Sequence, residues 1–332
     1  MNRWCRWASV AFGCARVLVA AGMLTAAGPT YDDPSKVDED FSFQGEYEGV
    51  LPLEEGEVKF GVQVIALGKG QFELVAYRGG LPGTGWNGEE PQRFKGQREN
   101  DAVVVNGELG KGVIKDGVLK AMTLEGRVVA ELKKIERRSP TLGQKPPAGA
   151  IVLFDGTDTK HWKNGRMTPD GLLMQGTTSI PTFGNHKLHL EFRLPYQPED
   201  RGQARGNSGV YLQGRYEVQM LDSFGLKGEH NECGGLYSVK APDVNMCLPP
   251  LSWQTYDIEF YAAKYDEDGK LVANPRITVY HNGVKIHDNV ELPGERSTTA
   301  APVKPGPERG PVYLQDHGNP VRYRNIWVVE LP

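Results

Sequence analysis

The sequence predicts an all-β protein, a two-sheet jelly roll preceded by a small β module. Three observations carry this expectation. Glycine (41) and proline (23) are abundant in a chain of 332 residues, and turn signals recur about every ten residues. No long segment keeps a helical period. Many short segments instead alternate apolar and polar residues with the period of two that a half-buried strand requires. The length allows two domains. With 38 basic and 42 acidic residues the net charge is −4, and there is neither a basic block nor a base-reading motif, so no nucleic-acid partner is expected.

Residues 1–28 begin with Arg3 and Arg6, continue through an apolar run clearest from Val17 to Ala27, and carry small residues at Thr25 and Ala27. This is the pattern of an export signal cleaved near Ala27. The run is short for a membrane span, which needs about 20 apolar residues. The mature protein is therefore expected in the periplasm or outside the cell, with no stable membrane insertion. Cys5 and Cys14 fall within the signal, which leaves Cys233 and Cys247 as an expected disulfide.

Residues 29–43 are polar and acidic and read as a linker. Residues 44–138 form the small β module. In it Phe72, Leu74 and Ala76 alternate with their neighbours, and Asp116-Gly117 joins two apolar runs in a hairpin. The glycine-rich stretch 79–88 is a long loop. The module shows no catalytic grouping. It serves packing, or it binds carbohydrate through Trp86 and Tyr77 as sugar platforms. Residues 139–149, rich in Pro and Gly, are a second linker.

The second half, residues 150–332, holds at least eight strands. Leu188, Leu190, Phe192 and Leu194 share one face of the clearest, with His189, Glu191 and Arg193 on the other. Asn282-Gly283 marks a hairpin, and the closing strand, with Trp327, is expected to seal against the opening one at Phe154. Trp253 and Trp327 are expected in the core. Residues 205–222 give two strands joined at Gly214. In the second, Tyr216, Val218 and Met220 face the core while Glu217 and Gln219 face away.

Leu153-Phe154-Asp155-Gly156 with Trp162, Asn207-Ser208-Gly209-Val210-Tyr211, Tyr216-Glu217-Val218-Gln219 with Asp222, Gly234-Gly235-Leu236-Tyr237, the Trp253 strand, Leu314-Gln315-Asp316-His317-Gly318 and Arg324-Asn325-Ile326 recur in this order along the chain. In these features residues 150–332 resemble the 3-keto-disaccharide hydrolase family, long known only as a domain of unknown function. The resemblance implies a concanavalin A-like lectin/glucanase sandwich and cleavage of 3-keto-glycosides. Ordinary glucanases on that sandwich place three acids along one strand face. Here the corresponding positions are Glu217, Gln219 and Leu221, too few carboxylates for the paired-acid mechanism.

Chemistry on a 3-keto-glycoside needs less. The ketone acidifies the C2 hydrogen; a base removes it, the enolate expels the C1 substituent, and water adds back. This calls for a base, an acid and donors for the enolate oxygen. Glu217 and His317 are the candidate bases, and Asp222 or Glu232 the candidate acid. Arg205, Arg324 and Gln219 could hold the carbonyl oxygen, and Asn207 and Gln315 could read hydroxyls. Glu229, His230 and Glu232 on one loop could hold a divalent cation. The partners implied are a carbohydrate and an upstream sugar oxidoreductase that makes the ketone. The rival readings are a non-catalytic, lectin-like sandwich and a scaffold.

Overall fold

The computed structural model of the protein describes residues 28–54, 56–108 and 110–332. The expected export signal, with Cys5 and Cys14, lies outside the described residues. The chain is all-β: a closed barrel followed by a sandwich of two antiparallel sheets.

The barrel comprises β1 (Gly45–Leu53), β2 (Gly56–Gly68), β3 (Gln71–Arg78), β4 (Gln92–Glu99), β5 (Ala102–Asn106), β6 (Lys111–Lys115), β7 (Val118–Met122) and β8 (Val128–Ile135). Each strand pairs antiparallel with the next, and β8 returns to β1. Alternation sorts the side chains. Val62, Val64, Phe72, Leu74, Val103 and Leu132 fill the inside, whereas Ile65, Val75 and Tyr77 point outward into the core of the sandwich. The predicted hairpin at Asp116 and Gly117 is present, with φ of 50° and 73°, the positive values its tight turn requires.

The segment expected as an acidic linker, residues 29–43, is ordered. Asp33 and Asp38 cap two short 3-10 turns, Pro34–Lys36 and Glu39–Ser42. Asp40 accepts from the Gly70 amide at 2.7 Å. Val37, Phe41 and Phe43 pack against the barrel core, and Tyr31 pairs with Tyr196 of the sandwich. The carboxylates that suggested a solvated chain are capping and anchoring groups, so the segment ties the two halves together.

The sandwich begins with β9 (Ile151–Phe154), β10 (Trp162–Lys163), β11 (Leu173–Met174), β12 (Thr177–Phe183) and β13 (His186–Arg193). It continues with β14 (Ser208–Leu212), β15 (Tyr216–Met220), β16 (Trp253–Tyr261), β17 (Lys264–Tyr265) and β18 (Leu271–Ala273). It closes with β19 (Arg276–His281), β20 (Val284–Glu291), β21 (Gly310–Leu314) and β22 (Arg322–Glu330). One sheet has the order β10-β12-β21-β14-β15; the other runs β11-β22-β13-β16-β19-β20, with β9 on β22. Ile326 pairs with Phe154, so the last strand does close on the first. Val210, Leu212, Val218, Met220, Val312 and Leu314 of the first sheet meet Leu188, Leu190, Phe192, Tyr256, Ile258 and Phe260 of the second in one core.

Two expectations about this half need correction. Trp253 and Trp327 lie on the outer face of the larger sheet. Trp253 sits beneath Arg324 at 4.0 Å and Arg193 at 5.1 Å, and Trp327 stacks on His189 at 4.9 Å. Neighbouring charged side chains and residues 139–144 cover that face, so Trp327 is buried and Trp253 half-buried without entering the core. Cys233 and Cys247 are free, buried thiols rather than a disulfide. Their sulfurs are engaged with the Tyr256 hydroxyl at 3.3 Å and with the Leu221 carbonyl at 3.5 Å, respectively.

Candidate functional site

The register of β14, β15 and β21 builds a polar cluster on the outward face of the smaller sheet. Tyr211 lies opposite Glu217, Gly209 opposite Gln219, and Tyr313 opposite Tyr211 on the next strand. Residues directly opposite share a face, so all five point away from the core that Val210 and Val218 enter. Glu217, 4% exposed, lies at the centre, with half-buried Gln203, Asn231, Tyr237, Tyr313 and Gln315 around it. Two loops border it. Residues 233–237 run along β15 through reciprocal bonds between Gln219 and the backbone of Gly234 and Gly235. Thr298 accepts the Glu217 amide at 3.2 Å from the other side.

Gly209 makes room for the acid. A Cβ at this position would lie 2.1 Å from Glu217 Oε1, so the Glu217 side chain lies across the strand where any larger residue would stand. Burial raises the Glu217 carboxyl to about 7, against a lesser, opposing hydrogen bond from Tyr211. Burial likewise holds the Tyr211 phenol well above its ordinary value. The Tyr211 hydroxyl also faces the Thr299 carbonyl at 3.2 Å and accepts from Gln315 Nε2 at 3.1 Å. A phenol has one proton to give. The Thr299 carbonyl and the Glu217 carboxylate therefore compete for it. The arrangement suits a carboxyl group that gains and loses a proton near neutrality.

Three of the expected sugar-reading amides belong to this cluster. With its amide oriented to satisfy both ends, Gln219 donates to Glu217 Oε1 at 2.8 Å, so it positions the acid and is not free to hold a substrate carbonyl. Asn207 donates to Gln203 Oε1 at 3.1 Å. Gln315 leaves its buried Oε1 without a partner, an acceptor available to a ligand hydroxyl.

The other expected site residues lie elsewhere. Asp222 and Arg205 form a buried ion pair at 2.6 Å, and Arg205 also reaches the Ala66 carbonyl of the barrel at 3.4 Å. The pair lines a cavity of about 470 Å³ between the barrel and the sandwich. It is an internal tie, not an acid and a carbonyl-binding cation beside Glu217. Arg324 is on the larger sheet, bonded to Glu191 at 2.6 Å and lying over Trp253. Glu232 is turned onto the amides of Gly228 and Glu229, at 2.7 and 3.0 Å. Glu229 and His230 are exposed, and among the described residues no three His, Cys, Asp or Glu side chains converge as metal ligands. His317 is exposed on the loop after β21, outside the hydrogen-bonded cluster. Tyr77 and Trp86 meet edge to face at 5.4 Å, and both pack against the sandwich core, so neither is an open sugar platform.

Sequence reasoning missed Gly209, Tyr211, Tyr313, Tyr237 and Gln203. Alternation along β14 puts Gly209 and Tyr211 on one face, a signal that was present in the sequence. The pairing of β14 with β21, which supplies Tyr313, connects strands about 100 residues apart and leaves no local trace.

The comparisons put this sandwich, with its buried acid amid amides and phenols on one sheet face, in a carbohydrate-active class of protein. Residues 149–329 match the 3-keto-alpha-glucoside-1,2-lyase-like domain, and the chain belongs to that family. A solved structure from Parabacteroides distasonis, described as a candidate glycosyl hydrolase, is 34% identical with a TM-score of 0.50, and the alignment covers 56% of this chain and 85% of that one. Two more from the same organism and with the same description align over 55% of this chain at 20% identity. They have TM-scores of 0.40 and 0.38 and are covered over 94% and 99% of their lengths, a similarity too low to carry weight. No curated protein matches the chain.

Proposed function

We propose that the protein is an exported enzyme that cleaves 3-keto-glycosides by elimination across C1 and C2 followed by addition of water, with Glu217 as the base. The observation that carries this reading is the buried Glu217 carboxyl, raised to about 7 and held between Tyr211 and Gln219 on the sandwich face. The family description, a 1,2-lyase-like domain, supports the same bond.

The steps balance as follows. The Glu217 carboxylate takes the C2 hydrogen as a proton, and its electron pair moves into an enolate with the C3 oxygen. That pair then re-forms the C3 carbonyl while C1 and C2 become doubly bonded and the C1–O bond breaks. The leaving oxygen takes a proton from the Glu217–Tyr211 pair. Water finally adds its hydroxyl at C1 and a proton at C2. The donors for the enolate are side-chain amides and phenols, since Arg205 and Arg324 are committed elsewhere. Glu217 is the only carboxylate of the cluster, enough for elimination but not for a paired-acid glycosidase.

The test compares a 3-keto-disaccharide with its unoxidised parent. The expected result is cleavage of the keto compound alone, reduced by roughly 100-fold or more in Glu217→Gln, the scale of a lost general base. Equal cleavage of both sugars, or full activity in Glu217→Gln, would overturn the assignment. Binding of both sugars without cleavage would replace it with the lectin reading.

A further inference from the structure

The barrel holds a second cavity, of about 870 Å³, which the sugar chemistry does not use. Its walls are the inward side chains Leu51, Phe60, Leu74, Phe94, Val105 and Leu119. Small residues leave the space: Ala76 and Ala121 point inward where larger side chains would meet across the barrel, and Gly112 leaves Val105 and Leu119 uncovered. An eight-stranded barrel is just wide enough either to be filled by its own side chains or to hold one small ligand. Here the two ends differ. The end nearest residues 29–43 is closed by Phe41 and Phe43. Among the described residues, the other end, where the turns after β1, β3, β5 and β7 gather, leaves the cavity open.

That open end has an unusual surface. Three large apolar residues are exposed there: Val50 at 46%, Leu124 at 57% and Val128 at 45%. The turns and strand ends around it carry six exposed carboxylates, Glu54, Glu57, Glu89, Glu90, Glu108 and Glu125. The basic residues on the same turns and strand ends are Arg78, Arg93, Lys111 and Arg127, and the charged residues that line the cavity itself are Arg93, Lys95, Lys111 and Glu108. The rim thus mixes both signs of charge around an apolar interior.

We propose that the barrel is a binding site for an uncharged, chiefly apolar small molecule that enters between the turns after β5 and β7. The size and apolar lining fit a ligand of one or a few rings or a short alkyl chain. The apolar interior favours an uncharged ligand, since a charged group would lose its hydration there without gaining a partner. The site is built by the barrel alone and does not depend on the reading of Glu217.

Titration of the full chain with Nile red, an uncharged apolar probe, tests the proposal beside anionic anilinonaphthalene sulfonate. The expected result is saturable one-to-one binding of Nile red, with the anionic probe weaker by roughly tenfold because its sulfonate must shed water to enter. Ala76→Phe and Ala121→Phe fill the cavity and should abolish binding while the thermal transition is kept. Should either fail to fold, the milder Ala76→Val and Ala121→Val remove part of the same space and should weaken Nile red binding. Unsaturable binding, or binding unchanged in a folded cavity-filled variant, overturns the proposal. A concentration-dependent mass in sedimentation that is lost with Ala76→Phe would assign it to a second copy, and would equally overturn it.

Discussion

Glu217 works against the stability of the fold. Burial raises its carboxyl from 4.5 to about 7, so the folded state binds the proton more tightly than the unfolded state. Stability therefore falls as pH rises from about 4.5 to 7, by on the order of 3 kcal/mol once the carboxylate has formed. Glu217→Gln should raise the melting temperature at pH 8 relative to wild type and show a smaller gain at pH 5, while turnover is lost. A calorimetric series across pH would show this. A base must be ionised to act, so kcat/KM on a 3-keto-disaccharide should climb through about pH 7 and level off above it. Gly209→Ala sets a Cβ against Glu217 Oε1. It should lower kcat by at least about tenfold while circular dichroism stays native. Of the residues concerned, Glu217, Asn207 and Gln315 were legible from strand alternation and motif order. The face of Gly209 was legible by the same alternation, but its role was not, since only the folded register shows the acid lying across it.

At the scale of elements, the outer face of the larger sheet shows how a segment that reads as a linker becomes structure. Thr141 donates to Asp257 Oδ2 at 2.7 Å, and the Gly143 amide donates to Glu191 Oε1 at 2.6 Å. Between the two carboxylates lies His189, whose Nδ1 is 2.6 Å from Asp257. Burial lowers the His189 pKa, but the bonds to Asp257 and Glu191 outweigh it and the net shift is upward. Glu191 sits at about 2, because bonds from His189, Asn325, Gly143 and Arg324 overcome its burial. The sign follows for each group. The His189 contribution is complete below its ordinary 6.5 and is lost as pH rises through the elevated value; that of Glu191 is complete above 4.5 and lost as pH falls toward 2. Residues 139–144 should therefore exchange their amides most slowly between about pH 4.5 and 6.5, after correction for intrinsic rates, and faster at pH 9. Unchanged protection at pH 9 would contradict this clasp. Alternation placed His189 and Glu191 on the outer face correctly. Composition alone misread what lies over them, because Pro and Gly describe a backbone's freedom and not the side chains waiting beneath it.

For the whole molecule, the barrel and the sandwich are one packed unit. Ile65, Val75 and Tyr77 of the barrel enter the sandwich core, Arg201 bonds to the Leu67 carbonyl at 2.8 Å, and Arg205 joins Asp222 to Ala66. Removing one partner of a buried pair strands the other charge, at a cost of about 3–5 kcal/mol. Asp222→Ala should thus lower the urea midpoint markedly yet leave kcat per folded molecule close to wild type. A catalytic acid would show the opposite. The all-β architecture was legible from turn spacing and period-two patterning. The docking of the halves was not, since alternation assigns a residue to a face of its own strand and cannot say which other element covers that face. That is why Arg205, Asp222 and Arg324 read as site residues while each serves a different contact.

The most direct measurement of the central claim is the isotopic content of the product when a 3-keto-disaccharide is cleaved in deuterium oxide. Elimination with Glu217 as base predicts a solvent deuteron at C2 of the released keto-sugar, or the intermediate enone itself, after the first turnovers, and neither with Glu217→Gln. Release of a keto-sugar that keeps its original C2 hydrogen would mean that the C1–O bond breaks by direct displacement, and would contradict the account.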